Sequence, residues 1–105
     1  MILSIIIPVY NERQTILPIL KKLNELKFSN FKKEIIVVDD GSEDGSTEII
    51  KKNINLFDKL LINKKNLGKG ASVKIGMKNC NGNYIVFQDA DLEYDPEDLL
   101  KFEEI

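Results

Sequence analysis

The run Leu3-Ser4-Ile5-Ile6-Ile7-Pro8-Val9 is apolar and β-branched, without the polar alternation of a strand that faces water on one side. That is the pattern of a strand buried on both faces, which needs helices above and below it. The rest of the chain supplies them. Ile16, Ile19, Leu20, Leu23 and Leu26 recur at helical spacing behind Thr15, a candidate N-cap. Glu34 to Val38 reads as a second apolar strand, running into Asp39-Asp40-Gly41-Ser42, with a short helix around Thr47 to Lys52. Lys59 to Asn63 reads as a third strand. Gly70 to Asn79 reads as a helix entered through Asn66-Leu67-Gly68-Lys69-Gly70, and Asn83 to Gln88 as a fourth strand. The alternation specifies an α/β, Rossmann-like fold: a mostly parallel sheet with helices on both faces. In such sheets ligands sit beyond the carboxyl ends of the strands, where strand order reverses. Three of the strands run into polar residues there, Tyr10-Asn11-Glu12, Asp39-Asp40 and Asp89-Ala90-Asp91, so a single site is expected at that end.

With 105 residues, 43% of them hydrophobic and 30% charged, the chain can fold as one small domain or as part of a larger one. Asp95-Pro96-Glu97-Asp98 is a helix start, with a capping Asp, Pro at the first helical position and acids in the first turn. Leu99, Leu100 and Phe102 give that helix an apolar face, and no C-cap signal precedes Ile105. The expectation is a truncated domain, residues 1–105 being its N-terminal part. The fourth strand then lies at an open edge, with Ile85, Val86 and Phe87 short of cover and available for self-association.

A net charge of −2 gives no electrostatic case for nucleic acid. The absence of histidine excludes a His acid–base pair or a His metal site, and the single Cys80 excludes an internal disulfide and reads as a small core residue. The apolar opening is shorter than the roughly 20 residues of a membrane span and lacks the basic start of a signal peptide. A cytoplasmic chain is expected.

Asp89 and Asp91 carry the chemistry most sharply. If the strand persists, both side chains leave one face, roughly 6–7 Å apart. A divalent cation, Mg²⁺ or Mn²⁺, would relieve their repulsion and bridge phosphate oxygens, and Glu93 continues the alternation as a further ligand. Asp95 reads as a helix cap instead. Asp39 and Asp40 end the second strand before Gly41 and Gly45. A carboxylate there can accept hydrogen bonds from a base or a ribose, or simply serve the turn. The Asn66-Leu67-Gly68-Lys69-Gly70 stretch either offers backbone N–H groups and a lysine to phosphate at a helix start or is simply a flexible helix entry. It matches neither the Walker A loop nor the G-x-G-x-x-G fingerprint. Pro8 to Glu12 offers an aromatic face and polar edges to a base.

Taken in order, Ile7-Pro8-Val9-Tyr10-Asn11-Glu12, Val37-Val38-Asp39-Asp40-Gly41-Ser42, Asn66-Leu67-Gly68-Lys69-Gly70-Ala71 and Gln88-Asp89-Ala90-Asp91 resemble the N-terminal half of an inverting family 2 glycosyltransferase of the GT-A fold. The strongest likeness is to the polyprenol-phosphate branch, typified by dolichol-phosphate mannose synthases. The resemblance implies a nucleotide-diphosphate-sugar donor site. Pro8, Tyr10, Glu12 and Asp39 would surround the base, assisted by Asp40, and Lys69 would lie near the nucleotide. Asp89 would reach the ribose or a metal-bound water. Asp91 would be the principal metal ligand, with Glu93 as a second. It further implies an acceptor such as polyprenyl phosphate at the inner face of a membrane. No catalytic base falls in this part of the chain, which is expected to be inactive alone. Two alternatives stand beside it. One is a receiver-type signalling domain, which also has an acid pair at a strand end but places it elsewhere. The other is a sugar-phosphate nucleotidyltransferase half, which would show a Gly-rich loop after its first strand.

Overall fold

The computed structural model describes residues 1–91 and 93–104, the side chains of 102–104 excepted. Strand β1 (Ile2–Val9) leads to helix α1 (Ile16–Glu25), strand β2 (Lys32–Asp39) to helix α2 (Ser46–Lys51) and a 3₁₀ turn (Ile54–Leu56). Strand β3 (Lys59–Ile62) leads to helix α3 (Lys69–Lys78), and strand β4 (Tyr84–Phe87) to a 3₁₀ segment (Pro96–Glu104). The four strands form one sheet in the order β3-β2-β1-β4, with every neighbouring pair parallel. The chain therefore winds outward from β1 through β2 to β3, then returns to place β4 on the other side of β1. The reversal of strand order lies between β1 and β4.

β1 is buried because each of its faces has a helix layer. Leu3, Ile5, Ile7 and Val9 point to one side with Ile35 and Val37 of β2, against Ile16, Ile19, Leu20 and Leu23 of α1 and Ile50 of α2. The intervening Ile6, Ile36 and Val38 face the other side, packed by Leu61, Ile75, half-buried Cys80 and Ile85. Helix α3 lies close on that side because Gly76 has no side chain: a Cβ there would stand 2.7 Å from Ile6 Cγ2. The region of β4 has less cover. It is an edge strand, as expected, and Phe87 remains 49% exposed.

Some local expectations change. Thr15 precedes α1 but makes no capping bond, because its backbone is already helical (φ −113°, ψ −22°) rather than extended. Lys33 is spent on the end of α1. Lys33 Nζ donates to the carbonyls of Leu23, at 2.8 Å, of Asn24, and of Leu26, at 2.6 Å, satisfying the C-terminal end of α1. β4 ends at Phe87, so Asp89 and Asp91 stand on a loop and not on a continuing strand. The segment opened by Asp95-Pro96 is a 3₁₀ helix. Asp95 Oδ1 accepts the Glu97 N–H at 3.0 Å, which is the capping role expected of it. Leu99 packs on the main core, whereas the side chain of Phe102 lies outside the described residues.

Candidate donor-nucleotide site

A cavity of about 420 Å³ opens at the carboxyl ends of the strands. Pro8, Val9, Tyr10 and Glu12 line it from the end of β1, Asp40 from the end of β2, and Asn66, Gly68, Lys69 and Ser72 from the entry to α3. Asp89, Ala90 and Asp91 close it from the end of β4. Its walls thus come from both sides of the strand-order reversal, where an open α/β sheet leaves a crevice.

The two loops at its rim are stitched together. Asn11 takes a left-handed backbone (φ +52°), which Asn tolerates better than most residues. Its N–H donates to Ser42 Oγ at 3.0 Å, and its side-chain oxygen accepts from the Glu43 N–H at 2.8 Å. The Glu12 N–H donates to Ser46 Oγ at 2.9 Å, and the Arg13 N–H to Asp44 Oδ2 at 3.1 Å. Asp44 also accepts from the Ser46 N–H and hydroxyl. Burial pushes the Asp44 carboxyl up, but these bonds outweigh it and hold it below the ordinary carboxylate range.

The acids of β2 turn inward. Asp39 is fully buried; its carboxylate accepts the Ser42 N–H at 3.1 Å and the Thr47 hydroxyl, and it does not line the cavity. Asp40 is 2% exposed and ties down the loop before α3. It accepts the N–H groups of Leu67 at 2.8 Å and Gly68 at 2.9 Å, and the side-chain amides of Asn63 at 2.9 Å and Asn66 at 3.1 Å. Burial pushes this carboxyl up, yet the bonds from Leu67, Asn63, Gly68 and Ser72 prevail and keep it below its usual value. Two of the N–H groups that the glycine-rich loop seemed to offer to phosphate are therefore spent on Asp40. The loop also rests on Gly41, whose φ is +74° and whose Cβ, if present, would meet the Lys65 carbonyl carbon at 2.7 Å.

The acids of β4 stay open. Lys69, the first residue of α3, reaches Asp89 Oδ1 at 2.5 Å, the lysine side chain being 65% exposed and the aspartate 27%. The hydrogen bond to Asp89 raises the Lys69 ammonium above its ordinary value against a smaller opposing effect of burial, with the charges of Asp89 and Asp91 adding to the rise. Asp91 is exposed, and its Oδ1 accepts the Glu93 N–H at 3.0 Å. Glu93 itself does not line the cavity. The loop is shaped from behind by Gln88, 3% exposed, whose side-chain amide donates to the carbonyls of Asp89 at 3.1 Å and Tyr94 at 3.0 Å. It is also held by Thr15, whose hydroxyl donates to the Ala90 carbonyl. Of the residues singled out in the sequence, Pro8, Tyr10, Glu12, Asp40, Lys69, Asp89 and Asp91 meet at one cavity, while Asp39 and Glu93 do not.

Sequence reasoning missed the supporting set: Thr15, Ser42, Asp44, Ser46, Asn63 and Ser72. Asn63 was the most findable, since it directly follows β3 at the same end of the sheet as the other polar strand ends. Among the described residues no three His, Cys, Asp or Glu side chains converge as a metal cage. The hard oxygens of Asp89 and Asp91 still suit Mg²⁺ or Mn²⁺, which are commonly held by one or two carboxylates with substrate phosphates completing the shell.

Residues 4–104 match the profile of glycosyl transferase family 2. The chain belongs to this family. That match over nearly the whole chain sets aside the receiver and nucleotidyltransferase alternatives. An undecaprenyl-phosphate 4-deoxy-4-formamido-L-arabinose transferase of Pseudomonas savastanoi pv. phaseolicola is 38% identical over 101 residues, covering 91% of this chain and 30% of that protein. The S. aureus TarS fragment 1–349, solved with UDP-GlcNAc, superposes with a TM-score of 0.83 at 28% identity, over 99% of this chain and 30% of that one. The mannosyltransferase PcManGT of Pyrobaculum calidifontis, solved with GDP-Man and Mn²⁺, superposes with a TM-score of 0.80 at 26% identity, over 93% and 30%. The fold of this chain is that of these GT-A glycosyltransferases. The chain spans about 30% of the length of the curated relatives it matches.

Proposed function

We propose that this chain is the donor-binding part of a glycosyltransferase domain that moves a sugar from a nucleotide-diphosphate sugar to an acceptor with inversion. The observation that carries the reading is the cavity itself, where three strand ends and the glycine-rich entry of α3 bring an aromatic wall, one lysine and two open carboxylates together. Tyr10 and Pro8 flank the base, with Glu12 at its polar edge. Asp40 acts through the loop it anchors, holding Lys69 over the site, and Asp39 through the turn it holds beside Ser42. Asp91 and Asp89 would hold Mg²⁺ or Mn²⁺, with Glu93 completing the set through a change of its side-chain direction. When bound, that cation supplies charge stabilisation to the departing diphosphate.

The reaction forms a bond from the acceptor oxygen to the anomeric carbon as the bond from that carbon to the diphosphate oxygen breaks on the opposite side. A hydroxyl acceptor surrenders its proton to a base, whereas an ionised phosphate acceptor needs none. Relatives named for undecaprenyl phosphate support a polyprenyl-phosphate acceptor, reached at the inner face of a membrane by the whole protein. No helix among the described residues is long and apolar enough to cross a membrane. The base and the acceptor site are assigned to the part of the protein beyond these residues, so this chain alone is expected to bind donor without turnover.

Calorimetric titration with UDP and with GDP, each with and without Mn²⁺, tests the donor reading. Binding of one of them, strengthened by Mn²⁺, is the expected result, and no heat from either at millimolar concentration would overturn it. Transfer of labelled sugar to undecaprenyl phosphate by the full-length protein tests the acceptor. The open β4 edge is the surface through which self-association is proposed, and sedimentation as a monomer at all concentrations would dismiss it.

A further inference from the structure

We propose that Lys69 competes with the divalent cation for Asp89, so that cation binding hands the lysine from the carboxylate to the diphosphate. The inference rests on the donor-site reading above and assigns one side chain two successive partners within it.

Four carboxylates line the cavity, those of Glu12, Asp40, Asp89 and Asp91, and Lys69 is the one cationic side chain among the lining residues. Of these acids it is paired with Asp89. The Asp40 oxygens accept two backbone N–H groups and two side-chain amides. Glu12 Oε2 lies 3.2 Å from the Thr15 hydroxyl oxygen, whose proton goes to the Ala90 carbonyl, and the ion pair of Lys69 is made with Asp89. Asp89 Oδ1 accepts the lysine ammonium at 2.5 Å. A cation held by Asp89 and Asp91 would draw on the same carboxylate, and two positive groups would repel each other there.

The lysine is built to be the one that moves. Its backbone is fixed, since it follows Gly68, whose N–H is held by Asp40. Its side chain is 65% exposed and ends a flexible stem with three rotatable donors, whereas Asp89 is 27% exposed on a loop pinned from behind by Gln88. Once displaced, the ammonium group stays in the cavity wall, and the incoming diphosphate is the anion within its reach. Lys69 is thus a positioning residue: it neutralises Asp89 first and fastens the diphosphate afterwards.

The test is Mn²⁺ titration of the 105-residue chain, followed by electron paramagnetic resonance, together with UDP or GDP titration in saturating Mn²⁺. Lys69→Met is expected to bind Mn²⁺ alone about five-fold more tightly than the wild type, the upper range for an exposed ion pair. It is expected to bind the nucleotide several-fold more weakly. Lys69→Arg, which keeps a cation, should restore both values toward wild type. In an Asp89→Asn background the Lys69→Met gain in Mn²⁺ affinity should vanish. Unchanged or weaker Mn²⁺ binding by Lys69→Met overturns the inference. So does a gain that persists undiminished in Asp89→Asn, because the effect would then be a general field and not competition for one oxygen. If nucleotide binding stays Mn²⁺-dependent while free Mn²⁺ affinity ignores Lys69, this inference falls and the donor reading stands. If no Mn²⁺ binds even with nucleotide, the cation assignment falls and the inference with it. Thermal melting of Lys69→Met should fall by no more than several degrees, the loss of the one exposed ion pair.

Discussion

Two acid pairs end neighbouring parts of this sheet, and they do opposite work. Asp39 ends β2 and Asp40 follows it; both are buried, with N–H, amide and hydroxyl donors filling the two carboxylates. Asp89 and Asp91 follow β4 and face the cavity, held by one exposed lysine and one backbone N–H. Both pairs are written as Asp close to Asp after an apolar run. The difference is in what the fold brings beside them. A carboxylate surrounded by donors becomes a structural anchor, and one left with spare oxygens can still bind a ligand. Position explains the contrast. β2 is an inner strand whose end is roofed by the α2 turn and the α3 entry, while β4 is an edge strand with an open loop beyond it.

The contrast breaks most visibly at Asp40. Replacing it with Ala strands the donors of Leu67, Gly68, Asn63 and Asn66, and a loss of about 3 kcal/mol in unfolding free energy is expected, read from urea denaturation. The same anchor makes stability sensitive to acid. The folded-state pKa values of Asp40, Asp44 and Glu34 are depressed, so the native state binds fewer protons than the unfolded chain just below the ordinary carboxylate value. Their stabilisation is present above about pH 4 and is lost as pH falls through the folded values. Urea midpoints measured from pH 6 to pH 3 should fall along that limb, and Asp40→Asn should flatten it.

On the open side the effect should be on binding and not on folding. Asp91→Ala is expected to weaken Mn²⁺-supported nucleotide binding by about ten-fold, roughly 1.4 kcal/mol, while the urea midpoint moves by no more than about 0.5 kcal/mol equivalent. A large loss of stability in this variant would erase the distinction between the two pairs. The smallest change is expected at Asp95, which only caps the segment after the loop. Asp95→Ala should cost about 0.5–1 kcal/mol in denaturation and leave nucleotide titrations as in wild type.

The elements were largely legible. β1 and β2 announce themselves as continuous β-branched apolar runs, and α1 by its 3.6-residue period, strongly enough to outweigh local ambiguity. Gly41 was visible as a turn residue, though the contact that forbids a side chain there was not. The site was legible as a set of strand ends. Which acid would be spent internally was hidden, because the donors reach Asp40 from residues 23 to 28 positions later in the chain. The same holds for Thr15, whose hydroxyl meets a carbonyl 75 residues away. Its helix-cap appearance was a local signal overruled by a distant partner.

By itself, then, the sequence determined the alternation of strands and helices, the burial of β1 and the gathering of polar residues at one end of the sheet, since these follow from short-range periodicity and from parallel connections. Only the tertiary structure decided that β4 returns beside β1, that Asp39 and Asp40 are buried and filled by donors, and that Lys69 meets Asp89. Those outcomes depend on which donors and charges long-range packing places within a few ångströms of each carboxylate, and spacing along the chain carries no such distances.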